Sequence, residues 1–194
     1  MVVATGFDHH PENIKGLADF SEKGTGENKV FVHAIDHKER LDRNYYHGWN
    51  HTNGDMITYS PKFPYKGEGC DIYDLYYEHF LRQDQLQGRS AKNARIQHWT
   101  ANKELYKFSY ANEVVLEEFK KRGIDVYFGW EMIEMKSNEY GQKIAVFRNV
   151  DSGETIEKDF HSAAINPPSK PQKELIDSGI ATQDGVVDVN PYTL

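Results

Sequence analysis

Short apolar blocks separated by polar, loop-forming stretches run the length of the chain. Val2-Val3-Ala4 leads into a tight turn at Thr5-Gly6 and reads as a buried strand. Residues 7–35 are polar and loop-rich apart from Val30-Phe31-Val32. Asp36, with Glu39 three residues on, forms a capping box for a polar helix ending near Trp49. Asn53-Gly54 is a turn signal, and Met56-Ile57-Thr58-Tyr59 follows it as a buried strand. Pro61 and Pro64 bracket the next loop. Residues 71–82 predict a helix with Ile72, Leu75, Tyr76, His79 and Phe80 on one face.

The second half is more legible. Ala94 to Trp99 reads as a strand. Asn112 is the expected N-cap of a helix through Arg122, whose last turn, Lys120-Lys121-Arg122, suits the negative end of the helix dipole. Gly123 supplies the left-handed residue after it, and Ile124 to Phe128 is a clear strand. From 142 to 166 the period becomes two. Ile144 to Phe147 and Thr155 to Lys158 flank the hairpin turn Asp151-Ser152-Gly153, and Phe160 to Ile165 adds a strand before Pro167-Pro168. Gly185 to Val189 is strand-like again. Strands alternating with helices, followed by a meander, predict an α/β fold: a parallel sheet carrying an antiparallel β-excursion. With strand patterns close to both ends, the chain is expected to be a piece of something larger.

Composition narrows the function. The chain has 194 residues, 23 basic and 30 acidic side chains and a net charge of −7. That balance disfavours a dedicated nucleic-acid binder, which needs localised positive charge. An aromatic content of 13% argues for a packed core rather than disorder. No apolar run reaches the length of a membrane span, and Met1-Val2-Val3-Ala4 is expected to be a strand rather than a signal peptide. One cysteine, Cys70, excludes a disulfide scaffold.

The order of several segments then carries a resemblance. They are Val3-Ala4-Thr5-Gly6, Ile14-Lys15-Gly16-Leu17, Ile57 to Pro61, Lys66-Gly67-Glu68-Gly69 with the aromatic helix to Arg82, Leu116 to Phe128, Ala164 to Pro168 and Gly185 to Val189. Collinear across nearly the whole chain, this pattern resembles the middle portion of the sulfide:quinone oxidoreductases of the mitochondrial type. These are FAD-dependent flavoproteins of the pyridine-nucleotide–disulfide-oxidoreductase kind. The resemblance implies a Rossmann-like, NAD-like domain of a protein with two dinucleotide-binding domains. On that map residues 1–52 hold an edge strand of an incomplete FAD-type domain plus linker and helix. Residues 53–166 are the NAD-like domain with its β-meander, and 167–194 return towards the FAD-type domain. The family's opening pyrophosphate loop, its later flavin-contacting segment and its quinone- and membrane-facing region fall outside the match.

The resemblance also directs attention to particular residues. The family uses two cysteines beside the flavin. The first aligns with Gly67, and Cys70 lies three residues downstream; the second lies beyond Leu194. Cys70 is the one catalytic candidate, since a nearby helix N-terminus lowers a thiol pKa. Glu68 and Asp71 oppose that effect, and an inert, partly buried thiol is the preferred reading. Ala4, Thr5 and Gly6 are FAD-contacting by resemblance. Gly67-Glu68-Gly69-Cys70-Asp71-Ile72 half-matches a dinucleotide loop, but Ile72 stands where the third glycine belongs. A strand–helix turn with Asp71 as N-cap is the plainer reading, and Gly24-Thr25-Gly26 is weaker as a phosphate loop.

Two His-x-x-x-His pairs, His33/His37 and His47/His51, have metal-site spacing, but no further ligand completes a set; solvated or interface histidines are expected. His9-His10 is expected to be a surface pair. Asn50-His51-Thr52 is formally a glycosylation sequon without secretory context. The aromatic cluster Tyr73, Tyr76, Tyr77 and Phe80, with Tyr45, Tyr46 and Trp49, fits helix-face packing or a protein–protein surface.

Two main expectations follow. One is a non-catalytic, flavoprotein-derived structural subunit of a mitochondrial, inner-membrane-associated respiratory assembly. It binds no cofactor alone and meets the membrane only through partner subunits. The other is a segment of a split, active FAD-dependent sulfide:quinone oxidoreductase, with a further chain supplying the missing FAD-domain parts. A soluble nucleotide-binding module is a weaker third.

Overall fold

The computed structural model describes residues 7–20, 30–32, 54–62, 72–182 and 187. Its centre is a five-stranded parallel sheet in the order β2-β9-β3-β4-β5. The strands are β2 (Val30–Val32), β3 (Met56–Ser60), β4 (Ile96–Thr100), β5 (Asp125–Phe128) and β9 (Ser162–Ile165). Helices α2 (Ile72–Leu86) and α3 (Ser109–Arg122) make the crossovers from β3 to β4 and from β4 to β5. A three-stranded antiparallel meander, β6 (Trp130–Ser137), β7 (Lys143–Asn149) and β8 (Thr155–Phe160), intervenes before the chain returns as β9. The expected α/β architecture, a parallel Rossmann-like sheet with an antiparallel excursion, is therefore the one observed. β6 is an addition that the sequence pattern did not reveal.

Alternation along the central strands explains the layering. Ile57 and Tyr59 of β3, Trp99 of β4 and Ile165 of β9 face the meander, packing with Met132, Met135, Ala145 and Phe147. Met56, Ile96 and Ala164 face the helices, packing with Tyr77 and Leu81 of α2 and Phe119 of α3. On the meander side Trp99 is sandwiched between Tyr127, centroids 4.0 Å apart and 9° from parallel, and Phe147, at 4.2 Å and 16°. Trp130 meets the same indole edge-on at 6.1 Å. This aromatic stack joins the two sheets.

A two-stranded antiparallel ribbon brings the two ends of the unit together. β1 (Phe7–His9) pairs with β10 (Ser169–Pro171), next to the short helix α4 (Lys173–Asp177). His9 Nδ1 lies 2.8 Å from Ser169 Oγ, and His10 Nδ1 lies 2.6 Å from Glu12 Oε1. His9 is exposed as expected, whereas His10 is half-buried. Between a 3-10 turn (Pro11–Asn13) and α1 (Leu17–Phe20), the chain runs along β6, where Lys15 bridges to Glu134.

Several local expectations are corrected. The buried positions of α2 are Asp74, Tyr77, Glu78, Leu81 and Asp84, whereas Tyr76 and His79 are exposed. Periodicity treats carboxylates as solvent-facing, but these three are ion-paired or hydrogen-bonded inside. Glu78 accepts from Arg82 at 2.8 Å and Arg122 at 3.2 Å, and Asp84 holds Arg89 at 2.5 Å. α3 begins at Ser109, not at Asn112. The Asn112 side chain instead accepts from the backbone N–H of Leu105 at 2.8 Å, pinning the loop before the helix. Gly123 ends α3 in the left-handed region at φ 72°, as expected.

Candidate functional site at the sheet switch point

In an open parallel sheet the connections reverse direction at one place, and ligands bind there beyond the carboxyl ends of the strands. From β3 the chain proceeds to β4 and β5 on one side, while β9 and β2 lie on the other. The switch point is thus between β3 and β9. A cavity of about 20 Å³, room for one water molecule, sits there. Its polar lining comes from Thr58 and Ser60 of β3, Asp74 of α2, His98 of β4 and Asn166 after β9.

Three of these side chains form a buried network. Thr58 and His98 are register partners on adjacent strands, so both point to the helix layer. Asp74, in the first turn of α2, reaches back between them. Thr58 Oγ1 donates to Asp74 Oδ2 at 2.9 Å, and His98 Nδ1 stands 2.6 Å from the same oxygen. His98 Nδ1 is also 2.9 Å from Thr58 Oγ1. Asp74 and His98 are each 1% exposed. Phe119 meets the His98 ring edge-on at 6.1 Å, adding α3 to the contacts.

The arrangement couples elements and does not suit nucleophilic catalysis. A nucleophilic hydroxyl must hand its proton to a base. Here the Thr58 proton and the His98 Nδ1–H both converge on Asp74, leaving Thr58 Oγ1 unactivated. The network also fits a dinucleotide poorly. Phosphate binding needs an unoccupied, positive helix end, and α2 carries a buried carboxylate in its first turn. On the opposite, meander-facing side of β3, burial pushes the Tyr59 hydroxyl pKa well above the ordinary phenol range.

At the opposite end, before β3 and β9, an open polar cleft of about 340 Å³ is lined by Asp55, Gln142, Lys143, Asp159 and His161 among others. Its carboxylates are already engaged: Asp55 accepts from Gln97 at 2.6 Å and Asp159 from Gln142 at 3.0 Å.

The residues singled out from the sequence are divided by the structure. Tyr77 is buried in the helix-side core, and Tyr73 meets Tyr76 at 6.3 Å. Cys70, Gly67, Ala4, Thr5, Gly6, Tyr45, Tyr46, Trp49 and the histidines His33, His37, His47 and His51 lie outside the described residues. So do the helix expected from Asp36 to Trp49 and, apart from Val187, the strand expected at 185–189. Among the described residues no group of His, Cys, Asp or Glu is placed to hold a metal ion. Nor, among them, is any helix long and apolar enough to cross a membrane. Thr58, Asp74 and His98 were not foreseen, because their relationship exists only once β3 and β4 are in register.

No protein-family model matches the chain, and no curated protein does. Solved structures do. A chain in the Tetrahymena thermophila mitochondrial ATP synthase F1Fo tetramer superposes with a TM-score of 0.76 at 24% identity, over 96% of this chain and 44% of that one. The sulfide:quinone oxidoreductase of Aquifex aeolicus superposes at 0.60 and 16% identity, over 96% and 41%. Lactococcus lactis thioredoxin reductase superposes at 0.57 and 17%, over 98% and 52%. The chain thus spans about half the length of these proteins or less. The fold defined by these neighbours and by the switch-point sheet is that of the FAD/NAD(P)-binding, Rossmann-like oxidoreductases.

Proposed function

We propose that the chain is a degenerate sulfide:quinone oxidoreductase-like protein serving as a non-catalytic structural subunit of a mitochondrial, inner-membrane-associated assembly. The observation that carries this reading is the 0.76 superposition on a chain of a mitochondrial ATP synthase, against 0.60 on an active sulfide:quinone oxidoreductase. Internal positions support it. Gly67 stands at the family's cysteine, Ile72 at the third glycine of the phosphate loop, and Asp74 fills the first turn of α2. Its partners are other protein subunits, and it meets the membrane through them.

In the same reading residues 1–52 hold an edge strand of an incomplete FAD-type domain plus linker and helix, and 167–194 return towards that domain, around an NAD-like unit at 53–166; the β1–β10 pairing is consistent with such an insertion, while Val30–Val32 joins the sheet of the NAD-like unit. Ala4, Thr5 and Gly6 are the positions that would face FAD, and Cys70 is the remaining candidate thiol. The second reading is one segment of a split, active enzyme, which the collinear match to 41% of the Aquifex aeolicus enzyme favours.

The test is the visible spectrum of the native subunit, followed by sulfide-dependent quinone reduction with and without Cys70→Ser. The structural reading expects no flavin bands and no turnover. Bound flavin with Cys70-dependent turnover would establish the split enzyme instead.

A further inference from the structure

The side of the sheet that should receive a dinucleotide is held together by protein groups. We infer that the Thr58–Asp74–His98 network takes over the positioning work of a bound dinucleotide, fixing the first turn of α2 to β3 and β4 without any ligand. This deepens the non-catalytic reading and rests on it for the expectation that nucleotide is refused.

Four observations lead there. Asp74 lies in the first turn of α2, the turn that a pyrophosphate would cap, and its carboxylate supplies the negative charge that the helix dipole favours. That carboxylate is buried and directed at the sheet, 2.6 Å from His98 Nδ1 and 2.9 Å from Thr58 Oγ1. Thr58 and His98 are side by side on neighbouring strands, so one carboxylate fixes both strands to the helix. Among the described residues, the cavity enclosed at the switch point has about 20 Å³, the volume of one water. Removing the carboxylate's charge would leave Thr58 and His98 buried against a weaker acceptor, and the first turn of α2 would open more often.

The experiment is amide hydrogen exchange on the full chain for wild type, Asp74→Asn and Thr58→Val. The readout is the second turn of α2, residues 76–79, whose amides bond to the first-turn carbonyls, compared with the amides of β3 and β4. It is paired with thermal midpoints of the wild type in NAD+, NADH, NADP+ and NADPH. Each variant should exchange about tenfold faster in that second turn, with β3 and β4 amides little changed. The wild-type midpoint should not move with any nucleotide. A variant that does not fold is replaced by the imidazole nitrogen spectrum of wild-type His98, where Nδ1 carries the proton directed at Asp74. Second-turn exchange equal to wild type in both variants, an unprotonated Nδ1, or a midpoint that rises with nucleotide would each overturn the inference. Flavin-dependent turnover would instead overturn the structural reading while leaving the exchange result standing.

Discussion

Gly16 is pressed against the main-chain carbonyl of Met135, close enough that a Cβ at position 16 would overlap that oxygen. The approach is enforced by two backbone hydrogen bonds, Lys15 N–H to Ile133 O at 3.1 Å and Met135 N–H to Lys15 O at 2.8 Å. Gly16 also has φ 76°, in the left-handed region. Strain and overlap act together, so Gly16→Ala should cost about 3 kcal/mol or more. Urea unfolding would measure it, and a midpoint equal to wild type would contradict the packing of this segment on β6.

The Tyr127–Trp99–Phe147 stack makes a second prediction. Trp99 is 1% exposed and joins the parallel sheet to the meander. Trp99→Ala should destabilise by about 3–5 kcal/mol through the cavity and the lost ring contacts. Trp99→Phe should recover a large part of it. Near-ultraviolet circular dichroism, to which the stacked Trp99 contributes, should weaken strongly in the first variant and retain more of its intensity in the second.

Buried and surface ion pairs should differ sharply. Glu78 is 9% exposed in its side chain and joins Arg82 on its own helix to Arg122 on α3. Glu78→Ala should cost about 1–3 kcal/mol, because it removes the buried carboxylate that ties Arg82 of α2 to Arg122 of α3. Glu118 pairs with Lys121 at the surface, which lowers the Glu118 pKa and raises that of Lys121. Solvent screens that pair, so Glu118→Ala should leave the unfolding midpoint unchanged. Equal losses in the two variants would contradict the burial assigned to Glu78.

Tyr59 gives a pH dependence. Burial raises its pKa above the ordinary value of 10.0, outweighing the hydrogen bond from the Met132 backbone, which lowers it. The unfolded chain therefore loses this proton at a lower pH than the folded chain does. The contribution of neutral Tyr59 is complete below pH 10 and declines as pH rises above it. The slope is about 1.4 kcal/mol per pH unit. Tyr59→Phe should flatten that alkaline limb relative to wild type in denaturant titrations between pH 9 and about 11. An unchanged limb would mean that Tyr59 is not the buried phenol responsible.

Much of the sheet was legible because its strands are apolar runs bounded by turn residues. Met56 to Tyr59, Ile124 to Phe128 and the Ile144–Lys158 hairpin read directly from period and punctuation. β6 escaped because Ile133, the extra residue at a register shift between Met132 and Glu134, breaks the alternation of Trp130-Glu131-Met132 from that of Glu134-Met135-Lys136. The face of α2 was misjudged for a related reason. Asp74, Glu78 and Asp84 recur at helical spacing but are acidic, and hydrophobic periodicity discards acidic positions. Their partners, His98, Arg122 and Arg89, become visible only in three dimensions. The switch-point network was illegible on the same ground, since Thr58, Asp74 and His98 are 16 and 24 residues apart in sequence and meet only through parallel register.

The most direct test of the central claim is isolation of the native protein from mitochondria under mild detergent, with mass spectrometry of everything that co-migrates and an absorption spectrum of the same fraction. The structural reading predicts stoichiometric migration with subunits of an inner-membrane complex and no sulfide-dependent flavin bleaching assignable to this chain. Recovery in the cytosol free of any complex, or migration only with a chain carrying the complementary FAD-type halves and a flavin that sulfide reduces, would contradict it.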